Sequence, residues 1–150
     1  MGKGKFSSTK TYSDLPCAHR QGYHDGHCRF IHGYNREITF YFTCNELDEN
    51  HFVVDFSKLK KLKAWLEHMF DHTMLINEND PEREFFEEMH RRGLIDLRIM
   101  PNAGMEASSK FVFDYADKFV RDMTQNRCWV YKVETRENMK NSGIYELVDD

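Results

Sequence analysis

A chain of 150 residues has room for one domain with its own hydrophobic core, so a single domain over residues 1–150 is expected. Hydrophobic residues at 40% against 31% charged exclude a disordered chain, and the apolar runs are too short to cross a bilayer. A formal net charge of −4 gives no electrostatic basis for nucleic acid or an anionic membrane as partner.

The N-terminus, MGKGKFSSTKTYSDL, has basic residues without the apolar segment of a secretory signal, which predicts a cytoplasmic protein. The next segment, Cys17 to Tyr34, is loop-like and holds His19, His24, His27 and His32 together with Cys17 and Cys28. Residues 36–43, REITFYFT, alternate as a half-buried strand requires, with Ile38, Phe40 and Phe42 on one face. After a polar turn, His51–Phe56 (HFVVDF) reads as a short strand pairing antiparallel with it. Ser57 can cap a helix whose apolar positions Leu59, Leu62, Trp65, Leu66, Met69 and Phe70 recur at helical spacing, with its lysines on the solvated face.

Asp80-Pro81 opens a charged helix that runs to about Arg92 and is closed by Gly93. Leu94–Met100 reads as a strand or an extended segment. A further helix after Asn102 buries Val112, Tyr115, Ala116, Phe119, Val120 and Met123. Two β-rich runs, Cys128–Arg136 and Gly143–Val148, then form a hairpin around Asn138–Ser142. Two hairpins and two long helices predict an α+β fold, with the helices on one face of an antiparallel four-stranded sheet and an inserted helix.

Imidazole and thiolate are the ligands zinc prefers, so the density of histidine and cysteine before the first clear strand makes a metal site plausible. Exposed loop histidines are also common. The four cysteines lie without paired spacing and read as free thiols. Asp71-His72 places a carboxylate beside an imidazole at a helix end, where it can orient a proton-carrying histidine or simply satisfy the helix terminus. Glu134 sits in an otherwise apolar strand. It either pairs with Lys132 and Arg136 across a polar face, or anchors a ligand by accepting two parallel N–H bonds.

In this order, Ala18-His19, Cys28, His32-Gly33-Tyr34, Asp55-Phe56 with Leu59-Lys60, Asp71-His72, Asn102 with Glu106, and Glu134 resemble the family of 6-pyruvoyl- and 6-carboxytetrahydropterin synthases. The resemblance runs from about Phe6 to Tyr145. Cys28, four residues before His32, matches the carboxy-forming, queuosine-pathway branch. The resemblance implies a zinc-dependent lyase that converts 7,8-dihydroneopterin triphosphate to 6-carboxytetrahydropterin. Cys28, Asp71 and His72 would be catalytic, and Glu134 and Glu106 would bind the pterin. It further implies the tunnelling fold (T-fold), a trimer or hexamer, and active sites between subunits.

Two positions depart from the family pattern. Tyr34 stands where the third metal-binding histidine is found, and Gly104 where a threonine is found. The expected ligand set is His19, His32 and a third group, with His27 ranked slightly above Tyr34 and His24 also available. Phenolate is a costlier zinc ligand than imidazole because its pKa is near ~10. Three alternatives stay open: a 6-pyruvoyltetrahydropterin synthase, a diverged pterin binder with altered or lost activity, and a non-enzymatic zinc module built from Cys17, His19, His27, Cys28 and His32.

Overall fold

The computed structural model describes residues 2–148. A long antiparallel hairpin, β1 (Ser7–His19) and β2 (His32–Cys44), forms the centre, with Cα partners running from Ser7↔Thr43 to His19↔His32. A register shift between Tyr12 and Leu15, with Asp14 at φ 60, turns the buried set so that Leu15, Cys17 and His19 continue the core face begun by Tyr12. Gly33 lies where a Cβ would come within 2.2 Å of the Cys17 carbonyl, so only glycine lets the hairpin close between His32 and Tyr34.

The sheet is six-stranded and mixed, in the order β4-β3-β1-β2-β5-β6, not four-stranded and antiparallel as expected. β5 (Cys128–Arg136) and β6 (Ser142–Glu146) form the predicted hairpin, and β5 pairs antiparallel with β2. The extra strands β3 (Thr73–Asn77) and β4 (Leu97–Met100) add parallel pairs on the other side of β1. The expected strand at His51–Phe56 is a loop. Asp48 Oδ1 accepts the Asn50 and Phe52 amides and holds the chain in a turn, while Val53 and Val54 are buried from that loop.

Helices α1 (Lys60–Phe70) and α3 (Met105–Thr124) cover one face, as expected. Leu62, Leu66, Phe70, Val112, Ala116 and Val120 pack there against Ile38, Phe40, Phe42 and Val133. Trp65 stacks on Tyr115 with ring centroids 3.8 Å apart, joining the two helices. Ser57 does not cap α1. Asp55 instead accepts the Ser57 amide and hydroxyl, capping a 3-10 turn that leads into the helix.

The inserted helix α2 (Arg83–Arg91) lies on the opposite face, where Phe86 meets Met74 and Ile76 in a second small core. This explains why β3 is buried at all five positions: Leu75 enters the main core while Met74 and Ile76 face α2. Arg20 fastens the insertion to β1, donating from Nε and a terminal nitrogen to the two Asp80 oxygens at 2.8 Å each.

Candidate metal and pterin site

Because His19 and His32 are Cα partners at the loop end of the hairpin, their side chains emerge together, and their ring centroids stand 4.4 Å apart. Glu137 follows the last residue of β5. Period-two counting places it with buried Thr135 on the core face, and its Oε1 lies 3.4 Å from Nε2 of both histidines. His19, His32 and Glu137 offer donor atoms that all fall within 4.8 Å of one another.

His19 is 5% exposed, and neither ring nitrogen has a hydrogen-bond partner. Burial, Arg36 and His32 push its pKa down to about 3, so the imidazole is neutral and keeps a lone pair to donate. His32 Nδ1 donates to the Phe30 carbonyl at 2.7 Å, which leaves Nε2 as a free acceptor aimed at the group. Two imidazoles and a carboxylate, one ring carrying orphaned buried nitrogens, fit a divalent metal with room for a further ligand.

Behind the group, Arg36 is 2% exposed and donates to Ser108 Oγ and the Ala103 carbonyl, tying β2 to the start of α3. Gln21, just past His19, joins Asn77 and Asn102, while Asn102 Oδ1 also accepts the Gly104 amide that opens α3. Gly143 is equally constrained, since a Cβ there would lie 2.5 Å from the Glu106 amide. β1, β3, β6 and the α3 N-terminus therefore converge beside the histidine pair.

The other expected residues are more dispersed. His27 and Cys28 lie exposed on a 3-10 turn, His27–Arg29, outside the three-donor group. The ranking of His27 as third ligand is thus not reflected in the geometry. The turn directs its ring towards Phe30, with centroids 6.2 Å apart. His24 accepts the Gly26 amide through Nδ1. Tyr34 is 48% exposed and meets His32 edge-on at 6.5 Å between centroids.

Asp71 and His72 form a dyad, Nδ1 to Oδ1 2.6 Å, at the α1–β3 corner. The His72 amide donates to Pro16, three residues before His19 on β1, so the dyad begins roughly 10 Å along the strand from the metal donors. The His72 side chain is 84% exposed. Glu134 pairs with Thr39, which puts it on the sheet face away from the histidines; Ser142 Oγ and Arg136 both donate to its Oε2. Glu106 is exposed in the first turn of α3, where a carboxylate also suits the helix dipole.

Sequence reasoning missed Glu137 and Arg36. The signal for Glu137 was its place in E-T-R-E, three residues after Glu134 and therefore on the other face of the strand.

An α+β sheet whose central hairpin ends in two facing histidines beside a carboxylate is a fold with a candidate metal site. The 6-pyruvoyl tetrahydropterin synthase family model matches residues 9–147, and the chain belongs to that family. A 6-carboxy-5,6,7,8-tetrahydropterin synthase of Rickettsia typhi is 31% identical over 70 residues, 46% of this chain and 51% of the relative. Its counterpart from Rickettsia conorii is 30% identical with the same coverage. The chain spans about half the length of the curated relatives it matches.

Solved structures share the fold. An uncharacterised protein of Wolinella succinogenes superposes with a TM-score of 0.81 at 15% identity, over 96% of this chain and 99% of that one. The 6-pyruvoyl tetrahydropterin synthase of Caenorhabditis elegans gives 0.66 at 21% identity, over 97% of each. Among the described residues no helix is long and apolar enough to cross a membrane.

Proposed function

We propose that this chain is a cytoplasmic, zinc-dependent pterin lyase that converts 7,8-dihydroneopterin triphosphate to 6-carboxytetrahydropterin, releasing acetaldehyde and triphosphate, within queuosine biosynthesis. The observation that carries this reading is the His19–His32 pair at the end of the central hairpin, with both nitrogens of buried His19 unpartnered. The naming of the Rickettsia relatives supports the carboxylated product. The Caenorhabditis elegans structure supports a second reading, a 6-pyruvoyl product from the same substrate.

His19 and His32 would hold the zinc, which supplies Lewis-acid polarisation of the substrate's side-chain oxygens. Cys28 takes the proton from the adjacent C–H. His72 donates Nδ1–H to Asp71, so its Nε2 is the atom free to pass a proton on the opposite side. Glu134 keeps Oε1 clear of its two intramolecular contacts and accepts from the pterin 2-amino and N3–H edge, with Glu106 as a second acidic group beside the ring.

Within one chain Glu134 lies on the sheet face away from the histidines and the His72 side chain projects into solvent, which favours active sites completed between subunits of a trimer or hexamer. Strand β6 lies at a sheet edge with Ile144, Leu147 and Val148 exposed close by, and such an edge is favoured to be covered by another chain. The test is to purify the protein without a metal-binding tag, quantify zinc per subunit and follow 7,8-dihydroneopterin triphosphate. Zinc with a carboxylated product supports the proposal, and a pyruvoyl product selects the second reading. Bound zinc without turnover overturns the lyase assignment.

A further inference from the structure

We infer that Glu137 is the third protein ligand of the metal, supplying from the β5–β6 hairpin what Tyr34 does not supply from β2. This rests on the metal-binding reading of His19 and His32. A cation about 2.0–2.2 Å from each of three tetrahedrally placed donors separates neighbouring donors by about 3.3–3.6 Å. Glu137 Oε1 stands 3.4 Å from Nε2 of His19 and 3.4 Å from Nε2 of His32. These distances exceed those of a good N–H···O bond, and His19 makes no hydrogen bond at either nitrogen, so the spacing matches a shared cation better than a shared proton.

Glu137 is held for this task. Its amide donates to the Asn141 carbonyl, and Asn138 Oδ1 accepts the Lys140 and Asn141 amides, closing the hairpin that carries it. Among the described residues its carboxylate contacts only the two histidines within ion-pair distance. Nearby Arg36 spends its hydrogen bonds on Ser108 and Ala103 instead. Tyr34 is less suited: its ring is half-exposed and meets His32 edge-on, with 6.5 Å between centroids. The site is therefore His2Glu, with one negative protein ligand where a three-histidine site has none.

The test uses the full chain stripped of metal, its affinity for Zn2+ measured by chelator competition, and the visible spectrum of the Co2+ form. Glu137→Gln is expected to weaken Zn2+ binding by about 100-fold or more, beyond the usual loss of an outer hydrogen-bond partner. Tyr34→Phe is expected to leave affinity unchanged, and adding Tyr34→His to Glu137→Gln to restore it. Glu137→His, exchanging carboxylate for imidazole, should retain metal but shift the cobalt bands, which keeps the inference testable even if the glutamine variant folds poorly. Loss of zinc in Tyr34→Phe but not in Glu137→Gln overturns the inference. Undiminished binding in both also overturns it, while leaving the histidine site standing. No uptake by the wild-type chain overturns the inference and the metal reading together.

Discussion

The loop end of the β1–β2 hairpin and the α1–β3 corner lie about three residues apart along β1, yet they are finished to different degrees. At the hairpin end His19 is buried, His32 has one nitrogen fixed by the Phe30 carbonyl, and Glu137 closes in from the next hairpin. At the corner, Asp71 orients His72, but the imidazole projects into solvent with its side chain 84% exposed. One chain thus gathers three candidate metal donors and leaves the proposed proton-transfer dyad open to solvent. Under the proposed function, the difference fits a catalytic surface in which one chain's histidine pair meets a neighbour's dyad.

The largest effect is expected from Cys28→Ala, which removes the proposed base. Turnover of 7,8-dihydroneopterin triphosphate should fall about 10^3-fold, within the range typical of lost general acid–base groups, while pterin binding measured by fluorescence titration persists. Full activity in that variant would discard Cys28 as the base. His72→Ala is expected to cost about 10^2-fold, with zinc content unchanged.

Mixing the two inactive chains tests the comparison directly. If thiol and dyad serve one site from different chains, oligomers formed from Cys28→Ala and His72→Ala subunits regain part of the activity, because some sites then contain both intact groups. If both serve from one chain, every site stays defective and the mixture stays inactive. Glu134→Gln is the next step down. Losing one charged hydrogen-bond partner should raise KM about tenfold, read from initial rates, with a smaller change in kcat.

Long periodic segments were legible in the sequence, because α1, α3 and the β5–β6 hairpin declare themselves through repeated contact with one core. β1 and β3 were not. The outer half of β1 is polar and its alternation breaks at the Asp14 bulge, so the buried set changes parity in mid-strand. β3 is only five residues long and buried on both faces, a pattern that becomes a strand only once α2 covers the second face. The converse error, His51–Phe56, is a β-rich run held in a loop by one aspartate. His19 and His32 were readable from motif order. Glu137 was not, because its spacing from Glu134 gives only its face, while its partnership with the histidines is set by the register of β5 on β2.

The smallest effect on the chemistry is expected from Asp80→Asn, although it strikes the residue next along from the metal site, through Arg20. Asp80 has a fully buried side chain and the Arg20 side chain is 16% exposed, so removing one charge leaves the other poorly compensated. Equilibrium urea melts at neutral pH should show a loss of about 3 kcal/mol, at the lower end for breaking a buried pair. Burial pushes the Asp80 carboxyl up, but the Arg20 guanidinium and the Glu82 amide outweigh it and hold the group below the ordinary carboxylate range. A depressed folded pKa stabilises the protein above the unfolded value near ~4, and that contribution disappears as pH falls through the folded value. The gap between wild type and Asp80→Asn should therefore narrow in acid. Zinc affinity should be unchanged, because α2 packs on the face of the sheet opposite His19, His32 and Glu137. A large loss of zinc in this variant would mean that the insertion holds the end of β1 in place, and that the metal donors are not pre-organised by the hairpins alone.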